Sequence, residues 1–163
     1  MASTRILGID PGTARTGYAV IECAGSTTTL LEAGLLTTPA GDEAGKRLAS
    51  LRVQIGNVIS MMKPDVAAIE KLYFQNNVTT AMSVAEARGI LLAACAEAGL
   101  TTGEYTPLQV KQSVTSYGGA DKRQVATMVT KILGLKAAPK PDDVTDAIAI
   151  ALCHEQRRKI PRG

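Results

Sequence analysis

The apolar run Ile6–Ile9 ends on one carboxylate, Asp10, turns through Pro11-Gly12, and resumes as a second apolar run from Gly17 to Cys23. That pattern predicts a buried strand, a tight turn and a hairpin partner. Ala24-Gly25-Ser26 reads as the next turn and Thr28–Thr37 as a third strand, which completes an antiparallel meander. After a Pro39–Gly41 loop, Leu48, Leu51, Ile55, Val58, Ile59 and Met62 recur at helical spacing. They predict an amphipathic helix from about Asp42 to Lys63, ended by Pro64. Val66–Glu70 repeats the opening pattern of a short apolar run tipped by an acid. A strand that follows a crossover helix runs parallel to its neighbour, so Asp10 and Glu70 are expected at adjacent strand ends. A second helix should run from about Val78 to Ala98, capped by Asn77 and stopped by Gly99. Thr101–Tyr105 reads as the last strand.

Three helices complete the chain. Thr106-Pro107 is an N-cap followed by Pro at the first helical position, which starts a short helix to about Thr115. Asp121 and Gln124 form a capping box for a helix that Gly134 stops. Asp142 opens the final helix after a Lys136–Pro141 loop, with Ile148, Leu152 and neighbouring alanines toward the core. Strands and helices in this order give an α/β fold: a mixed five-stranded sheet, antiparallel meander plus parallel strands, flanked by helices. No repeat, low-complexity segment or linker interrupts residues 1–163, so one domain is expected.

Composition narrows the reading. Aromatic residues are 3% and Trp is absent, so Ile, Leu, Val, Ala and Met must build the core. The net charge of +3 permits nucleic acid without requiring it. Much of the excess lies in a basic tail of about residues 155–163, expected to be solvated. Cys23, Cys95 and Cys153 are odd in number and lack metal spacing, which fits reduced thiols in a cytoplasmic protein. No signal-like segment and no bilayer-spanning apolar run is evident, so no membrane association is expected.

The candidate chemistry is acidic. Asp10 alone could merely cap its own turn. Asp143 and Asp146, at i and i+3 in the first turn of the last helix, could merely complement the helix dipole. Asp10, Glu70, Asp143 and Asp146 together, on convergent elements, cannot all stay ionised without cations. Hard oxygen ligands select Mg²⁺ or Mn²⁺, and two such ions about 4 Å apart suit in-line phosphodiester cleavage. His154, the one histidine, lies beyond the acids and reads as a packing or surface residue. On the second helix, Ala81, Ala85, Gly89 and Ala93 form a ridge of small residues. Such a ridge is usually internal, and a homodimer contact is the sharper reading.

The string Gly8-Ile9-Asp10-Pro11-Gly12 with Thr16-Gly17-Tyr18, the Ala68-Ile69-Glu70 strand end, Ala87-Arg88-Gly89, Val110-Lys111-Gln112 and Asp143–Ala149 resembles the RuvC family from about Ile6 to Cys153. These are bacterial Holliday-junction resolvases of ribonuclease H-like fold. The resemblance implies a homodimeric, Mg²⁺-dependent endodeoxyribonuclease that nicks opposite strands of four-way junction DNA in recombination and repair, alongside the branch-migration proteins RuvA and RuvB. It places Asp10, Glu70, Asp143 and Asp146 as metal ligands. Some relatives carry His at the position of Asp143. Tyr73 matches the family's aromatic wedge, with Phe74 beside it, and Lys111 and Lys122, followed by Arg123, match basic DNA-binding positions. Rival readings are a YqgF-like nuclease acting on RNA, an ATP-binding protein of the actin and sugar-kinase type, and a non-catalytic junction binder. The first usually has Arg-Ile-Gly where this chain has Arg15-Thr16-Gly17. The second needs a longer, duplicated fold and a second phosphate loop. Intact acids at all four positions argue against the third.

Overall fold

A computed structural model describes residues 2–72 and 78–160. Its elements are β1 (Thr4–Asp10), β2 (Arg15–Ala24), β3 (Thr27–Thr37), α1 (Ala44–Met62), β4 (Val66–Glu70), α2 (Val78–Glu97), β5 (Thr101–Tyr105), α3 (Pro107–Thr115), α4 (Lys122–Ile132) and α5 (Asp142–Arg158). The five strands form one sheet in the order β3-β2-β1-β4-β5. β1, β2 and β3 pair antiparallel, while β4 lies parallel to β1 and β5 parallel to β4. The anticipated mixed sheet is therefore present in full.

Both faces of the sheet are covered, as its parallel half requires. Side chains alternate along β1 and β4, so Leu7, Ile9, Ala67 and Ile69 pack with α1 and α2, while Ile6 and Ala68 pack with α3, α4 and α5. The capping boxes at Thr106/Gln109 and Asp121/Gln124 are both formed. Lys63 closes α1 in a left-handed conformation, its N–H donating to the Ile59 carbonyl before Pro64.

α5 carries the tightest packing. Val144, Thr145 and every residue from Ala147 to Cys153 are buried. A Cβ on Gly8 would stand 2.1 Å from the Ala147 carbonyl oxygen, and one on Gly17 would stand 1.9 Å from that of Asp143. The helix backbone thus rests directly on the β1–β2 hairpin, with glycine as the one residue that fits beneath it. This layer explains a difference in the core. Methionine contributes little: Met61 and Met82 are exposed, and Met62 and Met128 are only partly buried. So close an approach favours alanines, branched aliphatics and the small thiols of Cys23 and Cys153.

Two further expectations are corrected. The basic run is not a solvated tail from residue 155. Residues through Arg158 form the last turn of α5, Glu155 is buried and ion-paired with Arg158 and Lys159, and Arg157 Nε donates to Ser113 Oγ at 3.4 Å. Also, α2 is long and apolar enough to cross a membrane by length and composition, where no such run was expected. Its hydropathy comes chiefly from Val78, Val84, Ile90, Leu91 and Leu92, and its Ala87, Leu91, Ala94 and Cys95 pack onto the sheet.

Replacing Gly8 with Ala should destabilise the protein by about 3 kcal/mol, the upper end for overpacking, because backbone rather than a flexible side chain blocks the new methyl. Gly56→Ala, in α1 with open space around it, should stabilise by about 0.5–1 kcal/mol. Urea unfolding of the two variants beside the unaltered protein measures both.

Candidate active site

The site is assembled at the carboxyl ends of the two central strands, where open α/β sheets place their chemistry. Ile9 of β1 is paired with Ile69 of β4, so Asp10 and Glu70 are the next residues of adjacent parallel strands. Ile6 and Ala68 face α5, and alternation puts Asp10 and Glu70 on that same face. Gly17 is the cross-strand partner of Asp10. Because α5 rests its Asp143 carbonyl on Gly17, the first turn of that helix, with Asp143 and Asp146, lies over the strand ends. The three elements thus bring all four predicted acids to one place.

Asp10 does not cap the turn that follows it, for its side chain makes no hydrogen bond within the described residues. Thr16 closes that turn: buried, it donates to the Gly12 carbonyl at 3.3 Å and lies 3.4 Å from the Gly12 N–H. Arg47 of α1 holds the same turn from outside, Nη2 donating to the Thr13 carbonyl at 2.7 Å.

The carboxylates perturb one another. Burial first, then the charges of Glu70, Asp146 and Asp143, push the Asp10 pKa up to about 8, against an opposing pull from Lys122. Burial and Asp146 push Glu70 up to about 7, opposed by Lys111 and Lys122. Asp146 is raised by burial, with Lys122 opposing and Asp142 and Asp143 reinforcing. The acids of α5 lean toward cations. Asp143 Oδ2 faces the Arg15 guanidinium at 3.1 Å, an ion pair without hydrogen-bond geometry, and Lys122 Nζ lies 3.7 Å from both Asp142 and Asp146.

Lys111 and Lys122 therefore stand where the sequence suggested, beside the acids. Arg123, one residue on, is exposed and lines a groove with Tyr117 instead. Ala81, Ala85, Gly89 and Ala93 do not serve the core. Gly89 and Ala93 are exposed, Ala81 and Ala85 half-buried, and nothing lies within 4 Å of where a Gly89 Cβ would be. Tyr73, Phe74 and the Asn77 cap lie outside the described residues. His154 is a packing residue, its Nδ1 2.7 Å from the Tyr105 hydroxyl.

Sequence reasoning assigned no role to two arginines. Arg15 is the counter-charge to Asp143. Arg88 of α2 donates through Nε to the Glu70 carbonyl at 3.0 Å and pairs with Glu104, so it fixes the strand end that carries Glu70. Neither has a local signal, since each partner is distant in the chain.

The residues fit divalent cations by their chemistry. The donors are all carboxylate oxygens, the choice of hard cations. Burial and mutual repulsion raise the pKa of two of them, Asp10 and Glu70, in spite of the opposing charges of Lys111 and Lys122. Among the described residues no three His, Cys, Asp or Glu side chains stand at ligand spacing.

Comparison with known proteins agrees with the geometry. Residues 6–154 match the family described as crossover junction endodeoxyribonuclease RuvC. A protein of that name from Chloroflexus aggregans is 51% identical over 150 residues, 92% of each chain, and one from Caldicellulosiruptor saccharolyticus is 48% identical over 151 residues, 92% of this chain and 91% of that one. The structure of Thermus thermophilus RuvC in complex with a Holliday junction substrate superposes with a TM-score of 0.91 at 34% identity, covering 96% of this chain and 95% of that one. The yeast mitochondrial resolvase Ydc2, at 17% identity and a TM-score of 0.66, covers 94% of this chain and 79% of that one and shares the fold.

The raised acids make the metal-free protein sensitive to alkali. Asp10 and Glu70 bind protons more tightly folded than unfolded, so folding is favoured at low pH and stability is lost as pH rises from about 4 toward 8. Each proton retained on folding contributes at most about 1.4 kcal/mol per pH unit across that window. Thermal melts in chelator should fall from pH 5 to 8.5, and Asp10→Asn should flatten that fall and melt higher at the alkaline end. Parallel curves for the two proteins would contradict the assignment.

Proposed function

The chain belongs to the RuvC crossover junction endodeoxyribonuclease family, and on that footing we propose that it resolves four-way DNA junctions by paired nicks made at the Asp10–Glu70–Asp143–Asp146 site. The observation that carries the reading is the convergence of β1, β4 and α5 on one set of carboxylates that push each other's pKa upward. A site that crowds negative charge is matched to hard cations, Mg²⁺ foremost with Mn²⁺ as a substitute. When bound, two such ions supply the Lewis acidity that generates a nucleophile from water and neutralises the departing oxygen.

The chain's own residues do the rest. Asp10 and Glu70, fixed by the sheet, and Asp143 and Asp146, fixed by α5, hold the cations. Lys111 and Lys122 sit beside the acids as point charges for the phosphates of the incoming strand. Lys122 has a second use. While it bridges Asp142 and Asp146 it offsets their charge, and a phosphate competes for it. Arg15 keeps the Asp143 carboxylate oriented through its ion pair.

Two symmetric cuts need two sites, and a two-fold homodimer supplies both from one chain. The outward ridge of Ala81, Ala85, Gly89 and Ala93 supports α2 as its contact. Tyr73 and Phe74, which follow Glu70 closely in sequence, support an aromatic wedge at the junction centre. RuvA and RuvB are the partners that family membership supports.

The test is cleavage of a synthetic four-way junction and its component duplex, with and without Mg²⁺. Symmetric nicks in the junction alone, and only with the cation, are expected; equal cutting of the duplex or of RNA would overturn the reading. Asp10→Asn should abolish nicking and leave junction binding intact or tighter, measured by gel shift, because a negative charge near the DNA is removed. Lys122→Ala should weaken binding and lower its salt slope by about one unit, read from affinities across a salt series.

A further inference from the structure

Aromatic residues are scarce here, four Tyr and one Phe, and one of them is spent on the surface. Tyr18 packs against the core beneath the sheet, and Tyr105 bonds His154. Tyr117 is 63% exposed, and its hydroxyl makes no hydrogen bond within the described residues. It sits in the connection between α3 and α4, midway along a segment whose ends, Lys111 and Lys122, both act on the acids of the active site.

The ring is exposed yet held. Ser116 takes a left-handed conformation, φ 61°, which turns the chain outward at the end of α3. The Tyr117 N–H donates to the Thr115 hydroxyl at 3.1 Å. Gly119 gives the ring its seat, since a Cβ there would stand 2.5 Å from the Tyr117 oxygen. Beside it opens a groove of about 360 Å³ lined by Thr115, Tyr117, Arg123, Thr127 and Met128. Arg123 forms no ion pair among the described residues. The acid of the groove, Asp121, uses Oδ1 to accept the Gln124 N–H at 2.8 Å as the cap of α4. The groove therefore offers an aromatic face, an unpaired guanidinium and the free hydroxyl of Tyr117.

We infer that Tyr117 and Arg123 form a nucleotide-binding subsite that holds the strand flanking the scissile phosphate, the base or sugar on the Tyr117 ring and a phosphate on Arg123. The inference rests on the reading of this chain as a junction nuclease. Charge complementarity and continuity select a DNA strand as the occupant. Lys122 and Arg123 are consecutive in the first turn of α4, so a backbone neutralised by the first at the acids passes directly to the second. A ring already fixed in place loses little freedom on stacking, and stacking on an aromatic is tolerant of sequence. A well-paired duplex must first unstack to use it, whereas the strands of a junction open more readily.

The direct test is photocrosslinking. Junctions carrying 5-iodouracil at successive positions on either side of the cleavage site are irradiated with the unaltered protein in chelator, and peptides are mapped by mass spectrometry. A crosslink to Tyr117, in the tryptic peptide from Gln112 to Lys122, is expected at a flanking position and is lost in Tyr117→Ala. Tyr117→Ala should also weaken junction binding by about tenfold, with most of that loss restored in Tyr117→Phe. Arg123→Ala should lower the salt slope by about one unit. No crosslink at any position, or an affinity for Tyr117→Ala equal to that of the unaltered protein, would overturn the subsite. A protein that neither binds nor cuts junctions at all would instead overturn the functional reading beneath it.

Discussion

The contact on which the site depends is that between the backbone of α5 and the β1–β2 hairpin. Gly8 and Gly17 leave no side chain between them, so the Ala147 and Asp143 carbonyls rest on the strands themselves. Most helices meet a sheet through interdigitated side chains, which leaves room for small slips. Here the helix has no such play. The i, i+3 pair Asp143 and Asp146 inherits its placement from backbone atoms, and Asp10 stands across the hairpin from Gly17. One contact thereby fixes three of the four acids relative to each other. The fourth, Glu70, is fixed by strand pairing and by Arg88, which grips its carbonyl from the other layer.

That rigidity is what makes the charge crowding tolerable and useful. Carboxylates on flexible loops would relieve repulsion by moving apart. Carboxylates on paired strands and a docked helix must instead raise their pKa or find counter-charges. The protein does both. Asp143 and Asp146 have Arg15 and Lys122 within reach, and the amino-terminal turn of α5 favours acids in any case. Among the described residues Asp10 and Glu70 have no such ion pair, and they carry the largest shifts. The arrangement is therefore not electrostatically relaxed, and the dication binding proposed for it rests on that imbalance rather than on a finished ligand cage.

The order and type of the elements were legible because each has a local cause. Alternation marks the strands, the spacing of Leu51, Ile55 and Val58 marks α1, and capping boxes mark α3 and α4. The pairing of Asp10 with Glu70 was legible too, since a crossover helix forces parallel strands and both acids end apolar runs. What escaped has no local cause. Why Gly8 and Gly17 stand in strands is not visible until a helix more than a hundred residues later is laid on them. Arg15 and Arg88 are ordinary charges until their partners arrive through the fold. The basic run at the end looked solvated because Glu155 seemed one acid among many bases, whereas burial makes it the anchor that folds Arg158 and Lys159 back onto the helix.

The docking of α5 also bears on how the protein is made. A chain leaving the ribosome presents the meander first, then β4 and β5, and only at the end the helix that bears Asp143 and Asp146. Until that helix lands on Gly8 and Gly17, half of the acids are absent and the cluster around Ile6 lacks its largest contributor. A nascent or prematurely terminated chain thus has a sheet with two lone carboxylates in place of the four acids. The last helix to be made therefore completes the core and the cluster of four acids in the same step.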